Sequence, residues 1–241
     1  MTDPLAPLLE LPGVAEAVEA ARDAVAEVHR HPANRRGWPT TAAEASVRAA
    51  RASAALDGGA VEIPPSGSVT DPVLAGSLRV AEAIGPLLGT WQKAPLQALA
   101  RLHVLAAADL LGSDDLGRPS AGGSRLELLA SLVAGGTKAP APVLVAVVHG
   151  ELLSLAPFGS VSGVIARAAA RLTMIGTGLD TKGLAVPEVA CLRRASEYRS
   201  AVEGFSAGTP DGVGAWVKFS CSTLEAGARE AASIADAVGQ G

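Results

Sequence analysis

Aromatic residues are scarce in this chain of 241 residues, which contains three Phe, three Trp and one Tyr. Nearly half of the residues are nevertheless apolar, at 49%. A buried core must therefore consist mainly of Ala, Val and Leu side chains, which suit closely packed helices. No segment shows the sustained alternation of apolar and polar residues that indicates a half-buried strand. We therefore predict an all-α fold with little or no β-structure.

Positive charge, cysteine and long apolar runs are also limited. The formal net charge is −4, which argues against a nucleic-acid partner because such proteins usually carry a basic face. Cys191 and Cys221 lie outside any CxxC pair, so we expect two buried, reduced thiols. No apolar run reaches about 18 residues, and the N-terminus lacks the features of a signal peptide. We expect a cytoplasmic protein without a membrane partner; a protein partner and the oligomeric state stay open.

The N-terminal part of the chain reads as two helices followed by a linker. Apolar residues recur at helical spacing from Val14 to Val28. The segment Thr41 to Glu44 fits a capping box that starts a second helix. Asp57-Gly58-Gly59 ends that helix, because glycine readily adopts the left-handed stop conformation. We therefore divide the chain into an N-terminal helical region, a linker and a helical core, with the boundaries 1–59, 60–70 and 71–241.

The core region also reads as helices that pack into one compact unit with residues 1–59. Asp71-Pro72 and Pro95 each open a helix, since proline is well tolerated in a first turn. A loop rich in Gly, Ser, Asp and Pro covers 112–124. Further helices are predicted near 125–134, 141–155, 163–176, 188–204 and 215–238.

Heavy use of Ala, Gly, Val, Pro and Arg is typical of a GC-rich genome, such as that of an actinobacterium.

The segment from Ala156 to Arg167 is the most informative in the chain. It reads Ala-Pro-Phe-Gly-Ser-Val-Ser-Gly-Val-Ile-Ala-Arg and joins two predicted helices. It resembles the active-site motif of Fic-domain (Fido) AMP transferases, H-P-F-x-[DE]-G-N-G-[RK]-x-x-R. The positions that match are Pro157, Phe158, Gly163 and Arg167. The resemblance implies a Fic-like helical bundle.

Other features follow in the order that this family shows. Ser53-Ala-Ala-Leu-Asp57-Gly58 resembles the family's inhibitory Ser-x-x-x-Glu-Gly helix end, with Asp in place of Glu. The resemblance implies that Asp57 pairs with Arg167, as the inhibitory acid does in the family. The remaining matches are Leu102-His103, Gly117-Arg118, Val147-Val148-His149, Gly178-Leu179, Tyr198 and Trp216.

Four positions depart from the motif at the groups that perform the chemistry. Ala156 stands where the family has its general-base histidine, and its methyl group cannot accept a proton. Ser160 replaces the acidic metal ligand and is a poor sole ligand for Mg²⁺. Ser162 and Val164 replace an Asn and an Arg that hold phosphates. The departures imply no conventional AMP transfer, no catalytic residue, no metal site, and no ATP or Mg²⁺ as cofactor.

An anion site can nevertheless survive at this loop. Backbone N–H groups at a helix start, together with Ser160, Ser162, Gly163 and Arg167, are candidate ligands for an anion. The alternative is a capped helix start with no ligand. His103 and His149, on otherwise apolar helices, are interpreted as packing histidines, and His29 and His31 as a solvated helix end.

Three functional hypotheses follow. The chain is a Fic-like pseudoenzyme that acts as a binding or regulatory module. Alternatively, it is an enzyme that uses the same cleft for other nucleotide or phosphate transfer chemistry. A third alternative is a structural subunit whose fold only supplies an interface.

Overall fold

A computed structural model describes residues 3–65 and 67–239 of the protein. Over these residues it contains ten α-helices and no β-strand. The helices are α1 (Val14–Arg30), α2 (Trp38–Leu56), α3 (Pro72–Lys93), α4 (Pro95–Ala107), α5 (Gly123–Ser131), α6 (Ala141–Leu155), α7 (Ser162–Gly176), α8 (Pro187–Arg193), α9 (Ala195–Ser206) and α10 (Pro210–Gly239). The predicted all-α fold is confirmed. Within the same residues, no helix combines the length and the apolar character that crossing a bilayer requires.

Helices α6 and α7 form the centre of the bundle. Ten residues of α6 are buried, from Pro142 to Leu152, so this helix is apolar on every side. Every residue of α7 from Val164 to Met174 is buried as well. The 30-residue helix α10 packs against α1, α6, α8 and α9. Its length allows it to contact most of the bundle.

The N-terminal helices pack against the rest of the chain. The apolar stripe of α1 lies along α10, with Val14, Val18 and Ala21 in the main core and Val25 and Val28 in a smaller cluster. Helix α2 contacts α3, α7 and α8, and its Ala45 and Ala49 pack with Val186 and Ile234. The division into 1–59, 60–70 and 71–241 stays a prediction; Ser66 and residues 1, 2, 240 and 241 lie outside the described residues.

Three predicted boundaries are wrong. Helix α2 begins at Trp38 after Gly37, because Pro39 suits a first turn and needs no N–H partner there. Thr41 is fully buried in that first turn, and Glu44 pairs with Arg48, so neither residue belongs to a capping box. The predicted helix over 188–204 is two helices, and the one predicted over 215–238 starts earlier, at Pro210.

The break between α8 and α9 falls at Arg194, which has φ −115° and ψ 37°. Its guanidinium group pairs with Glu197, donates to Ser222 Oγ at 2.8 Å and lies 4.6 Å from the ring centre of Phe219. These contacts hold the bend against α10. Such contacts between distant segments leave no periodic signal in the sequence of 188–204.

The crossing of α3 and α4 generates a test of the packing. A Cβ atom at Gly76 would collide with the backbone carbonyl of Ala106, which cannot move without shifting α4. We expect Gly76→Ala to lower the free energy of unfolding by about 1–3 kcal/mol. Gly89 lies in the same helix with open space around its Cα. As a matched control, Gly89→Ala should raise stability by about 1 kcal/mol. Equal effects of the two substitutions in chemical denaturation would contradict this packing.

Candidate functional site

The site is built around a tight loop between α6 and α7. Ala156 ends α6 in the left-handed conformation, with φ 42° and ψ 48°, and its N–H donates to Leu152 O at 3.1 Å. Among the described residues it is the one non-glycine residue with positive φ. This conformation costs about 1–2 kcal/mol for a residue with a Cβ atom. The position matched to the family's histidine therefore carries backbone strain and no functional group.

The polar groups of the loop mostly bind one another. Ser162 Oγ accepts the N–H of Phe158 at 2.9 Å, and Ser162 is itself buried. Pro157 O accepts both the N–H and the hydroxyl of Ser120, at 2.8 and 3.1 Å. Phe158 is buried against His103, with 4.8 Å between the ring centroids. Ser162, a candidate anion ligand, thus has its oxygen committed inside the loop.

Ser160 lies apart from the other candidate ligands. It is exposed, at the edge of a cleft of about 420 Å³ between the loop and residues 103–120. Neither Gly163 nor Arg167 lines that cleft. The structure therefore does not bring the four candidate anion ligands onto one surface. Gly163 and Arg167 form a separate group with Asp57.

Asp57 and Arg167 form an ion pair. Asp57 Oδ2 lies 2.9 Å from Arg167 Nη2, and only 3% of the Arg167 side chain is exposed, against 16% for Asp57. Arg167 also donates from Nε to Ser53 Oγ at 2.8 Å and from Nη2 to Ser53 O at 2.9 Å. The end of α2 therefore supplies three of the acceptors around this guanidinium group.

Gly163 makes room for the Asp57 carboxylate. A Cβ atom at this position would collide with both carboxylate oxygens. The carboxylate thus lies against the first turn of α7, where the helix dipole favours a negative charge. The hydrogen bond that the carboxylate receives here comes from Arg167 Nη2, at 2.9 Å.

The way α2 ends presents Asp57 to α7. Gly58 has φ 84°, and the N–H groups of Gly58 and Gly59 donate to the carbonyls of Ala55 and Ala54. This is a Schellman ending, in which the left-handed glycine turns the chain sharply after the last helical residue. Asp57 precedes that turn and projects from the end of the helix. The predicted stop at 57–59 agrees with this geometry.

A buried network continues beyond Arg167. Tyr198 Oη lies 2.7 Å from His149 Nε2, and Arg167 Nη1 donates to the same Tyr198 oxygen at 3.5 Å. Burial, with a smaller contribution from the positive charge of Arg167, lowers the pKa of His149 to about 3. Burial also raises the pKa of Tyr198. The neutral imidazole therefore accepts the proton of a neutral tyrosine, and neither group is charged at physiological pH.

A cleft of about 320 Å³ adjoins the ion pair. It is lined by Leu56, Asp57, Leu153, Arg167, Tyr198, Arg199, Val202 and Glu203. Arg167 also lines two much smaller cavities, of about 20 and 30 Å³.

A second buried charge network ties α1 and α7 to α8 and to the segment that precedes it. Arg171 pairs with Glu188 at 3.0 Å. Asp180 is fully buried and accepts the N–H groups of Leu184 and Ala185. His29 Nε2 lies 2.8 Å from Asp180 Oδ1. The interpretation of His29 as a solvated helix end is therefore wrong; its partner is 151 residues away, beyond any local sequence signal.

The described part of the chain contains neither a group of potential metal ligands nor a reactive thiol. Within 3–65 and 67–239, no three His, Cys, Asp or Glu side chains are grouped as a metal site would require. Cys191 and Cys221 are both buried and unpaired in any disulfide. Burial raises the pKa of each thiol to about 12, which keeps them protonated.

The comparisons with known proteins establish the fold. No protein-family model matches the sequence, and no curated protein matches it. Among solved structures, the chain is similar to the crystal structure of a Fic family protein from Desulfovibrio desulfuricans G20, with a TM-score of 0.66. The match covers 92% of this chain and 74% of that one, at 20% sequence identity. The chain therefore has a Fic-like all-α fold, as its motif residues predicted.

The contact between Gly163 and Asp57 can be tested by mutation. Gly163→Ala should lower the free energy of unfolding by about 1–3 kcal/mol, because the new Cβ forces the carboxylate away from Arg167. Asp57→Ala alone should cost about 2–3 kcal/mol, less than for a fully buried pair, since Arg167 keeps both Ser53 acceptors. In the Asp57→Ala background, Gly163→Ala should become neutral or slightly stabilising. A double-mutant cycle measures this coupling, and additive effects would refute the contact.

The buried histidine predicts a pH dependence. Between pH 6.5 and 3 the unfolded chain binds a proton at His149 that the folded chain does not bind. Above about pH 6.5, His149 therefore does not make the free energy of unfolding depend on pH. As the pH falls below that value, the free energy of unfolding decreases, with a limiting slope of about 1.4 kcal/mol per pH unit. His149→Gln, which can still accept from Tyr198, should flatten the profile of unfolding free energy between pH 4 and 6. Parallel profiles for the two proteins would show that His149 is not the group that titrates.

Proposed function

We propose that this protein does not transfer AMP and that it acts as a binding or regulatory module with a Fic-like fold. The observation that carries the proposal is Ala156. It closes α6 at the position that matches the family's general base, and its methyl group can neither accept nor donate a proton. No other titratable side chain takes its place in the loop from Ala156 to Val161.

The remainder of the loop supports the same proposal. Mg²⁺ requires several oxygen ligands, usually including a carboxylate, and the loop offers only the exposed hydroxyl of Ser160. Ser162 Oγ is engaged by Phe158, and Val164 is a buried apolar residue. The residues present do not fit a magnesium–nucleotide complex.

Asp57 supports a regulatory role. Its carboxylate lies where α7 and Arg167 would attract an external anion, so an anionic ligand binds there only if Asp57 moves away. We propose that the pair is an inhibitory-type contact, and that a ligand or partner acts by displacing Asp57 from Arg167. The cleft that both residues of the pair line would give such a ligand access. A protein partner and a cytoplasmic location remain parts of the proposal.

Incubation of purified protein with labelled ATP tests the absence of AMP transfer. We expect no label on the protein itself or on added proteins, with or without Mg²⁺. Ala156→His should also remain inactive, since one restored base does not replace the missing metal and phosphate ligands. Ser162→Ala and Arg167→Met are the matched controls. Labelling of the wild-type protein that is lost in these two variants would contradict the proposal. Labelling that is the same in the wild-type protein and in both variants would come from a contaminant.

A further inference from the structure

The hydroxyl group of Ser77 is buried in the middle of α3 without a partner. Ser77 is 2% exposed, and its Oγ makes no hydrogen bond to any described residue. Two other buried helical hydroxyls donate to a carbonyl of the preceding turn, Thr173 to Ala169 O at 2.7 Å and Thr223 to Ser220 O at 2.8 Å, whereas Thr41 Oγ1 in α2, like Ser77 Oγ, makes no such bond. Burial of an unpaired hydroxyl is costly. The orientation of Ser77 therefore calls for a partner beyond its own helix.

Ser77 lines a small cavity between four helices. The other polar groups in the cavity wall come from α2, α7 and α8, and include Ser53, Arg167 and Glu188. The space open to the centre of a water molecule is about 30 Å³. A single water needs at least about 10–15 Å³ by this measure, with two to four polar partners. The cavity meets both requirements.

We propose that an ordered water molecule occupies this cavity and bridges the hydroxyl groups of Ser77 and Ser53. Ser53 Oγ receives the N–H of Arg167 Nε at 2.8 Å, so its own proton must point in another direction. A water in the cavity accepts that proton and donates one of its own to Ser77 Oγ. Both hydroxyl groups are then satisfied, and the lone pairs of Ser53 are held towards Arg167.

The charges around the cavity favour a neutral occupant. Arg167 is neutralised by Asp57, and Arg171 by Glu188. An anion would meet the Glu188 carboxylate, and a cation would meet the two guanidinium groups. Water carries no net charge and can donate and accept in one place. The occupant is therefore assigned as water.

This water has a consequence for the ion pair at the site. It connects α3 to the Ser53–Arg167 contact, and Arg167 in turn holds Asp57. Hydrogen bonds in such a chain polarise and strengthen one another. Ser77 is thus a positioning residue for Arg167, although it touches neither Arg167 nor Asp57 through a hydrogen bond.

The sign of one mutational effect decides between a hydrated and an empty cavity. If the cavity were empty, Ser77→Ala would remove an unpaired buried hydroxyl and raise the Tm. With the bridging water, the same change should lower the Tm by about 2–4 °C, the shift expected for one net hydrogen bond in a domain of this size. Ser200→Ala, at an exposed position in α9, controls for the higher helix propensity of alanine.

Two further measurements complete the test. Ser77→Ala and Ser53→Ala should be less than additive in a double-mutant cycle, because either change removes a ligand of the same water. A high-resolution crystal structure should show a water within hydrogen-bonding distance of both Oγ atoms. A Tm that rises in Ser77→Ala relative to Ser200→Ala, additive effects, or an empty cavity in the crystal would each overturn the proposal.

Discussion

The contact between the end of α2 and α7 depends on satisfying the buried positive charge of Arg167. Arg167 stays protonated at all physiological pH values, yet only 3% of its side chain is exposed. A buried ion costs several kcal/mol unless hydrogen bonds and an opposite charge surround it. Here the partners come from the end of α2, through Ser53 and Asp57, and from α9, through Tyr198. This guanidinium group therefore links α7 to two separate helices, α2 and α9, through hydrogen bonds.

Local packing and hydrogen bonds shape the loop before α7 and the first turn of that helix. Gly163 lacks a Cβ atom, so the Asp57 carboxylate can approach the first turn of the helix. Ser162 turns its oxygen inwards to the N–H of Phe158. Ala156 accepts a strained conformation to connect the two central helices. In this loop the polar groups stabilise the fold, and few remain available for a substrate, which agrees with the proposed binding or regulatory role.

Local features of the sequence predicted much of this architecture. Three short-range signals in the sequence predict the glycine stop after Asp57, the apolar stripe of α1 and the residues around Arg167. The sequence does not predict the inward hydrogen bond of Ser162, the His29–Asp180 contact or the bend at Arg194. Each of these depends on atoms that only folding brings together. The predicted start of α2 is wrong because Thr41 and Glu44 have the spacing of a capping box. The helix instead starts after Gly37, with Pro39 in its first turn.

We propose that Asp57 occupies the space in which an anion would bind Arg167 beside Gly163. Crystal structures of the wild-type protein and of Asp57→Ala, both grown with inorganic phosphate, test it most directly. We predict phosphate on Arg167 and on the first turn of α7 in the variant, and none there in the wild-type protein. An empty site in Asp57→Ala, or phosphate bound equally in both proteins, would contradict the claim.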